Sequence, residues 1–370
     1  MTACATQTAA ASGATRRSGF NIAADGSYAA CLTQGGDPDG TGWFPERWTL
    51  NGPEPYTVPL PGPRPEAADS QVLPLPDGRV LIRRRTAERH DLALIYPTGP
   101  GTGELPVGFL HGESVRLLPA LPCGTVYALV YAGGRSTVWL VHGGPGLEQR
   151  AEIDGHCTGG VWLDRTGRML ALDRTHEGRT KTITVDPVTG TTSPLLQITE
   201  ESDDRLLLAD PDSKLLLVRS NAPGTDRLGW GVLDSRRPVR FPECLREPDG
   251  AAAIEPLAIQ PGQLLMPEAC AVVLRILGRA VLWRPAARAL WPLPTPPGWL
   301  VGCAWWSSGG TLRLPYARPE QPYGVRDITS DALVSPLPRP PRPEPSTPAP
   351  TAAPVSRVLP LRQAPIAAVG

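Results

Sequence analysis

The chain of 370 residues carries 36 basic and 36 acidic side chains, and its 45 prolines and 39 glycines make up almost a quarter of all residues. Proline and glycine at this frequency exclude long helices, helical bundles and coiled coils, because each interior proline removes a backbone hydrogen bond and clashes with the preceding turn. The balanced charge argues against a general nucleic-acid-binding protein, in which basic residues are in excess. The apolar share of 41% is still large enough for a folded core.

Residues 1–20 contain no long apolar run, so the sequence shows no secretory signal peptide. The longest apolar stretch, residues 271–283, is too short to span a bilayer and contains two arginines. Seven cysteines are scattered without a CxxC pair, which suits free thiols in a reducing compartment and offers no paired zinc ligands. These features predict a cytoplasmic protein that binds no membrane, no metal and no cofactor.

A small-residue turn between two apolar runs recurs seven times, at a period of about 40 to 50 residues. A third and a fourth run follow each turn. The turns contain Asp25-Gly26, Asp77-Gly78, Cys123-Gly124, Thr166-Gly167, Asp212-Ser213, Pro261-Gly262 and Ser308 to Gly310. Four short strands per unit at this period are typical of the blades of a β-propeller.

The clearest unit spans residues 159–198. Its alternating and turn-rich segments predict, in order, a first strand Val161 to Leu163, a hairpin turn Arg165 to Gly167, a second strand Met169 to Leu172, a polar loop Asp173 to Arg179, a third strand Thr182 to Val185, a turn Asp186 to Gly190 and a fourth strand Ser193 to Ile198. One such sheet cannot cover both of its faces, whereas a ring of sheets can.

We therefore predict an all-β fold, a seven-bladed β-propeller of four-stranded antiparallel blades over residues 21–337. The blades are expected at about 21–61, 71–109, 115–153, 159–198, 204–245, 254–296 and 299–337. Residues 1–20 are expected to be a flexible N-terminal segment and the proline-rich residues 338–370 a disordered tail. Two β-sandwich domains are the competing fold, but they would not give seven turns in register. Closure of the ring by strand pairing and closure by apolar packing both remain open.

His142 to Gly146 reads HGGPG, which resembles the oxyanion loop of α/β-hydrolases. In the repeat, however, this segment takes the same place as Asp186 to Gly190, the turn between the third and fourth strands. A serine hydrolase also needs its nucleophile in a GxSxG motif, and the sequence contains none. HGGPG is therefore predicted to be a turn, and no catalytic residue is assigned.

Several other groups of residues are more easily explained by structure than by chemistry. Two groups lack the paired spacing of metal ligands and are expected to be solvated loop residues: Asp173, His176 and Glu177, and His156 beside Cys157. Arg83 to Arg85 is expected to be a solvated face, because nearby acidic residues offset its charge. Four tryptophans in or beside predicted strands are expected to belong to the blade cores: Trp139, Trp162, Trp230 and Trp283.

Four histidines fall on one predicted face of the ring. In a propeller, the loop between the second and third strands and the link between blades emerge on the same face. His90 and His176 lie in the first kind of connection, and His111 and His156 in the second. This face is therefore the candidate binding face, with these four histidines as the candidate contacts.

The segment VWLDRTGRMLALDR, followed by ITVDPVTGTTSPL with its Asp-Pro-x-Thr-Gly turn, resembles the N-terminal β-propeller of the prolyl oligopeptidase family of serine peptidases. The resemblance covers about residues 20–337. In that family the propeller restricts access to a separate α/β-hydrolase domain that carries the catalytic Ser, Asp and His, and no position here matches those residues. The resemblance implies a peptidase-like ancestry without hydrolysis by this chain alone.

These observations lead us to expect a non-catalytic binding or gating module whose partner is a peptide, a protein or a hydrolase domain. The alternative is a truncated or frame-shifted serine peptidase whose catalytic domain is missing from the chain. An enzyme acting inside the propeller would need acid–base or metal groups that converge in the channel, and the sequence shows no such group.

Overall fold

The computed structural model describes residues 16–35, 42–52, 54–247, 253–262 and 265–329, which form seven antiparallel sheets in chain order. The predicted seven-bladed β-propeller is confirmed. The predicted tail, residues 338–370, lies outside the described residues, as do residues 1–15 of the predicted flexible segment. Arg17 to Phe20, at the end of that segment, already belong to the first strand.

The first four blades each contain four strands, and every strand pairs with its neighbour in sequence. Blade 1 consists of β1 (Arg17–Ile22), β2 (Tyr28–Gln34), β3 (Trp43–Thr49) and β4 (Tyr56–Pro59). Blade 2 consists of β5 (Gln71–Pro74), β6 (Val80–Arg85), β7 (His90–Pro97) and β8 (Thr102–Leu110). Blade 3 consists of β9 (Ser114–Leu117), β10 (Val126–Ala132), β11 (Arg135–His142) and β12 (Glu148–Asp154). Blade 4 consists of β13 (His156–Trp162), β14 (Leu170–His176), β15 (Arg179–Val185) and β16 (Thr192–Leu196).

Blades 5 and 7 contain three strands each within the described residues, and blade 6 contains four. Blade 5 consists of β17 (Asp204–Ala209), β18 (Leu215–Ser220) and β19 (Arg227–Val232). Blade 6 consists of β20 (Glu255–Ile259), β21 (Val272–Ile276), β22 (Arg279–Trp283) and β23 (Trp291–Pro292), and blade 7 of β24 (Trp305–Trp306), β25 (Leu312–Tyr316) and β26 (Gly324–Ile328). In blade 5 the place of a fourth strand is taken by a bridge in which the backbones of Trp230 and Arg240 exchange two hydrogen bonds of 2.9 Å.

Within the described residues, helical structure is confined to two single turns of 3-10 helix, Glu243–Leu245 and Pro267–Ala269. No helix in the described ranges is long and apolar enough to cross a membrane.

The second strands of the blades are deeply buried, as β18 illustrates. All six of its side chains are buried, and its sequence, LLLVRS, is nearly continuously apolar. A strand covered on both faces gains from apolar residues at every position, which is why alternation is lost here. Apolar side chains from facing sheets fill the space between successive blades, for example Leu32 of blade 1 with Val72 and Ile82 of blade 2.

Blade 7 closes the ring by packing against blade 1. Trp48, in β3, is fully buried, and its ring lies edge-on to Tyr323 with centroids 6.5 Å apart. Gly26, in the turn after β1, has a φ of +72°, and a Cβ added to it would stand 2.0 Å from the indole of Trp305. No strand of blade 1 pairs with a strand of blade 7 in the part of the chain that the structure describes, so closure there rests on packing.

The structure corrects the prediction of a polar loop from Asp173 to Arg179 in blade 4. β14 continues through His176 and β15 begins at Arg179, so the connection is only Glu177-Gly178. Both residues have positive φ, 49° and 76°, as a two-residue type I′ turn requires. Polar side chains misled the prediction, because Asp173 is buried by the neighbouring blade rather than solvated.

Candidate binding site in the central channel

A cavity of about 380 Å³ lies at the axis of the ring, on the face where the first strands of the blades end. Its lining comes from blades 1, 3, 4 and 5, with Ala24, Pro122, Trp162 and Leu207 as representatives. First strands are innermost in each blade, so the residues at their ends and in the following turns surround the axis. The volume is at the lower end of the range found for small-ligand sites.

The lining of this cavity is mainly apolar. Trp162 donates its Nε1–H to the carbonyl oxygen of Pro119 at 2.8 Å, which fixes the indole at the wall. Arg165 at the rim is already paired with Asp212, with a closest N–O distance of 2.6 Å. The cavity therefore presents mainly apolar surface, and the charged side chains at its rim are largely paired with one another. Trp162 was predicted to belong to the core; its ring does pack on Tyr127, but it also lines the cavity.

A β-bulge forms the inner wall of the cavity. The register of β13 with β14 shifts between Gly159 and Val161, and the two consecutive glycines have φ values of +76° and +114°. A Cβ at Gly160 would stand 2.6 Å from Leu118 and 3.5 Å from the Nη2 atom of Arg116. Glycine is needed at this bulge, and its bare backbone lets the guanidinium of Arg116 lie against the wall.

Asp173 lies directly behind the bulge. Its Oδ1 atom accepts hydrogen bonds from Thr182 Oγ1 at 2.7 Å and from the backbone N–H of Leu206 at 2.9 Å, the latter in blade 5. Burial raises the pKa of Asp173 to about 6, although these hydrogen bonds and the charges of Arg205 and Arg116 lower it. The carboxyl group thus connects blades 4 and 5 at the channel wall, within electrostatic reach of two guanidinium groups.

Arg116 and Arg205 are exposed residues of the first strands of blades 3 and 5, and neither side chain forms a hydrogen bond or ion pair with the described residues. Desolvation by the surrounding wall lowers the pKa of Arg116, and the charge of Asp173 opposes that effect. Sequence analysis did not identify either arginine as a site residue. A signal was present, because each stands eight positions before the small residue of its turn, Gly124 or Ser213, but only a closed ring brings the two positions onto one channel.

The four predicted histidines lie at the opposite ends of the strands from the cavity. His90 begins β7, is only 3% exposed and lies 3.3 Å from Arg83 Nη1 through its Nδ1 atom. His111 follows β8 and contacts the ring of Phe109, with centroids 5.3 Å apart.

In blade 4, His156 begins β13 and contacts the ring of Tyr131 at a centroid distance of 4.5 Å. His176 ends β14 and is about half exposed. The structure brings His156 and His176 to the same edge of blade 4, whereas His90 and His111 belong to the edge of blade 2.

The environment of Arg83 to Arg85 differs from the predicted one. Arg83 is buried and donates to the carbonyl oxygen of Asp69 at 2.6 Å, and Arg84 binds Glu66 and Glu104. The prediction that Arg83 to Arg85 form a solvated face is therefore wrong for Arg83, which is buried, and for Arg84, which is half-buried and ion-paired. Arg85 is exposed, as predicted. His142 ends β11, and the HGGPG segment connects β11 to β12 as predicted.

No three His, Cys, Asp or Glu side chains of the described residues are grouped closely enough to hold a metal ion.

No protein-family model and no curated protein matches the sequence. Solved structures do match. Puromycin hydrolase aligns with a TM-score of 0.54 and 18% identity over 85% of this chain and 52% of its own, so the chain spans about half of that protein's length. A prolyl endopeptidase aligns with a TM-score of 0.51 and 10% identity over 85% of this chain and 47% of its own. Oligogalacturonate lyase from Vibrio parahaemolyticus aligns with a TM-score of 0.54 and 9% identity over 86% and 92%.

At these identities the similarity shows the fold alone, and that fold is a β-propeller of the kind present in prolyl oligopeptidase-like peptidases. The resemblance found in the sequence is confirmed at this level. The same fold occurs in a lyase, so it does not select an activity.

Proposed function

We propose that the protein is a non-catalytic binding module that takes an extended peptide segment into its central channel, and that it acts as a gate when a partner hydrolase is present. The observation that carries this proposal is the apolar cavity on the axis, lined by four blades. Apolar walls with few converging polar groups favour the binding of a ligand's apolar side chains over catalysis.

The cavity dimensions and chemistry suit a short apolar peptide. Trp162, Leu207 and the neighbouring prolines present surfaces on which leucine or proline side chains lose contact with water. The six cysteines of the described residues are free thiols, which fits the proposed location in a reducing cytoplasm.

Blocking the mouth of the cavity tests this function. Ala24 is exposed and lines the cavity, so Ala24→Trp adds a bulky ring at the mouth without entering the core. With a dansylated octapeptide of leucine and proline as the probe, we expect fluorescence titration to show at least about tenfold weaker binding to this variant.

Ala87→Trp is the matched control, because Ala87 is equally exposed in the turn between β6 and β7, away from the cavity. It should bind the probe like the wild type. Equal affinity of Ala24→Trp and wild type, or no binding of the probe to wild type, would contradict the proposed function.

Catalysis is tested on the same protein. We expect no cleavage of the octapeptide on prolonged incubation and no covalent labelling by a fluorophosphonate, because no nucleophile motif is present in the sequence. Labelling would refute the non-catalytic role.

The alternative, a truncated or frame-shifted serine peptidase, is tested on the gene. Translation of all three frames beyond codon 335 would reveal GxSxG, followed by Asp and His, if this alternative is right.

A further inference from the structure

Two arginines lie on first strands shortly before residues that line the cavity. Leu207, which lines the cavity, is only two positions after Arg205 along β17, and Pro119, which also lines it, is three positions after Arg116. Next to the apolar lining, the first strands of blades 3 and 5 therefore carry one exposed arginine each.

The two guanidinium groups share one nearby counter-ion, the carboxylate of Asp173. Neither side chain forms a hydrogen bond or ion pair with the described residues, and the Oδ1 atom of Asp173 accepts its hydrogen bonds from Thr182 and Leu206 instead. Many other arginines of these ranges are paired, as Arg84, Arg165 and Arg168 are. One carboxylate for two guanidinium groups leaves a net positive charge, which attracts an anion, and guanidinium groups match a carboxylate with two parallel hydrogen bonds.

The bulge of β13 contacts both Asp173 and Arg116. A Cβ at Gly159 would stand 3.0 Å from Asp173 Oδ2, and a Cβ at Gly160 would stand 2.6 Å from Leu118 and 3.5 Å from Arg116 Nη2. Arg205 of blade 5 lies near the same carboxyl group, since it directly precedes Leu206, whose N–H donates to Asp173 Oδ1.

We propose that Arg116 and Arg205 form a carboxylate-binding site at the inner end of the cavity, and that the channel takes a peptide with its C-terminal carboxylate leading. This inference rests on the proposed peptide-binding function and specifies the orientation of the ligand. The apolar residues that precede the carboxylate then lie against Trp162 and Leu207 near the mouth.

The test uses the dansylated octapeptide of leucine and proline in three forms: as a free acid, as a C-terminal amide, and as a C-terminal amide with one internal glutamate. We expect the free acid to bind wild type at least about tenfold more tightly than the plain amide, because the amide removes the charge that the two arginines bind. The glutamate form separates a C-terminal carboxylate from a side-chain carboxylate as the source, and we expect it to bind like the plain amide.

Arg116→Gln and Arg205→Gln are each expected to remove the preference for the free acid while leaving the affinity for the plain amide within about twofold. Arg279→Gln is the matched control, because Arg279 is an exposed arginine at the start of β22, outside the cavity lining. Thermal unfolding of each variant verifies that the ring remains folded.

The outcomes separate the two proposals. If free acid and amide bind wild type equally, or if both arginine variants keep the preference, the carboxylate site is refuted while peptide binding stands. If the glutamate form binds as tightly as the free acid, the C-terminal orientation is refuted. If none of the three forms binds wild type, the peptide-binding function and the carboxylate site both fail.

Discussion

Asp173 is 4% exposed, and burial raises its pKa to about 6 from an ordinary value of 3.8. The folded protein therefore holds the Asp173 proton more tightly than the unfolded chain does. The stabilisation of the folded state by the protonated Asp173 side chain is present below about pH 4 and is lost as the pH rises through about 6.

Asp173→Asn should abolish this pH dependence, because the amide oxygen can accept the same two hydrogen bonds and carries no charge. Relative to wild type, we expect the free energy of unfolding of the variant to increase by about 2 to 3 kcal/mol between pH 4 and pH 7. Urea unfolding at the two pH values measures the difference. Asp154→Asn, at a highly exposed carboxylate, is the control, and a similar change for both variants would show that Asp173 is not the cause.

Glu46 is a second buried carboxylate, and its partners surround it. It accepts hydrogen bonds from Arg17 Nε at 2.8 Å and from Thr33 Oγ1 and Trp48 Nε1 at 3.0 Å. Burial opposes ionisation, but the hydrogen bonds and the charge of Arg17 lower the pKa of Glu46.

Removal of that carboxylate leaves a buried guanidinium without a partner. We expect Glu46→Ala to lower the free energy of unfolding by about 3 kcal/mol or more at pH 7, since breaking a buried pair costs more than the pair contributes. Denaturant unfolding measures this loss, and Glu148→Ala, at an outer-strand carboxylate, should cost less than about 1 kcal/mol. Equal costs would contradict the assignment of Glu46 to the core of blade 1.

At the scale of elements, polar side chains fasten the first strand of one blade to the first strand of the next. Gln71 of β5 donates to the carbonyl oxygen of Leu117 at 2.9 Å and accepts from its N–H at 2.8 Å. Asn21 of β1 donates to the carbonyl oxygen of Val72 at 2.9 Å. These contacts satisfy backbone groups that face the channel, where a sheet edge would otherwise be open.

Gln71→Leu should therefore destabilise the protein more than the same substitution of a glutamine on an outer strand does. We expect a loss of about 1 to 3 kcal/mol, because the substitution leaves the N–H and carbonyl of Leu117 without these partners. Gln149→Leu on exposed β12 is the control and should change the free energy of unfolding by less than about 0.5 kcal/mol. Chemical unfolding that showed the two variants to be equal would remove this role from Gln71.

The sequence patterns were sufficient to predict the repeated elements but not the contacts between blades. The turns after the first strands, such as Asp77-Gly78, are visible because each copy needs a small residue at the same place. Asp173 was misassigned to a loop because its burial comes from blade 5, which no local pattern reports. Arg116 and Arg205 are exposed, polar and distant in sequence, so their common channel position follows only from the closed ring.

At the scale of the whole molecule, the contact between blades 7 and 1 is tested by two glycines of blade 1 with similar backbone conformations. Gly19 and Gly26 have φ values of +65° and +72°, but a Cβ at Gly19 would meet no atom within 4 Å, whereas one at Gly26 would overlap the indole of Trp305.

Both alanine variants share the conformational cost of about 1 kcal/mol, and Gly26→Ala adds the steric cost. We expect Gly26→Ala to be less stable than Gly19→Ala by about 1 to 3 kcal/mol in denaturant unfolding. Identical stabilities would mean that the contact of Gly26 with Trp305 does not hold the ring closed.

The contact between the first and last blades has a mechanical consequence. Within a blade, a pull across the strands must break a ladder of backbone hydrogen bonds, whereas between blades 7 and 1 the described residues offer resistance only through interlocked side chains. Successive blades are also joined by the chain itself, so a load that widens the ring acts most directly on this one contact, where Trp48 packs against Tyr323 and Gly26 against Trp305.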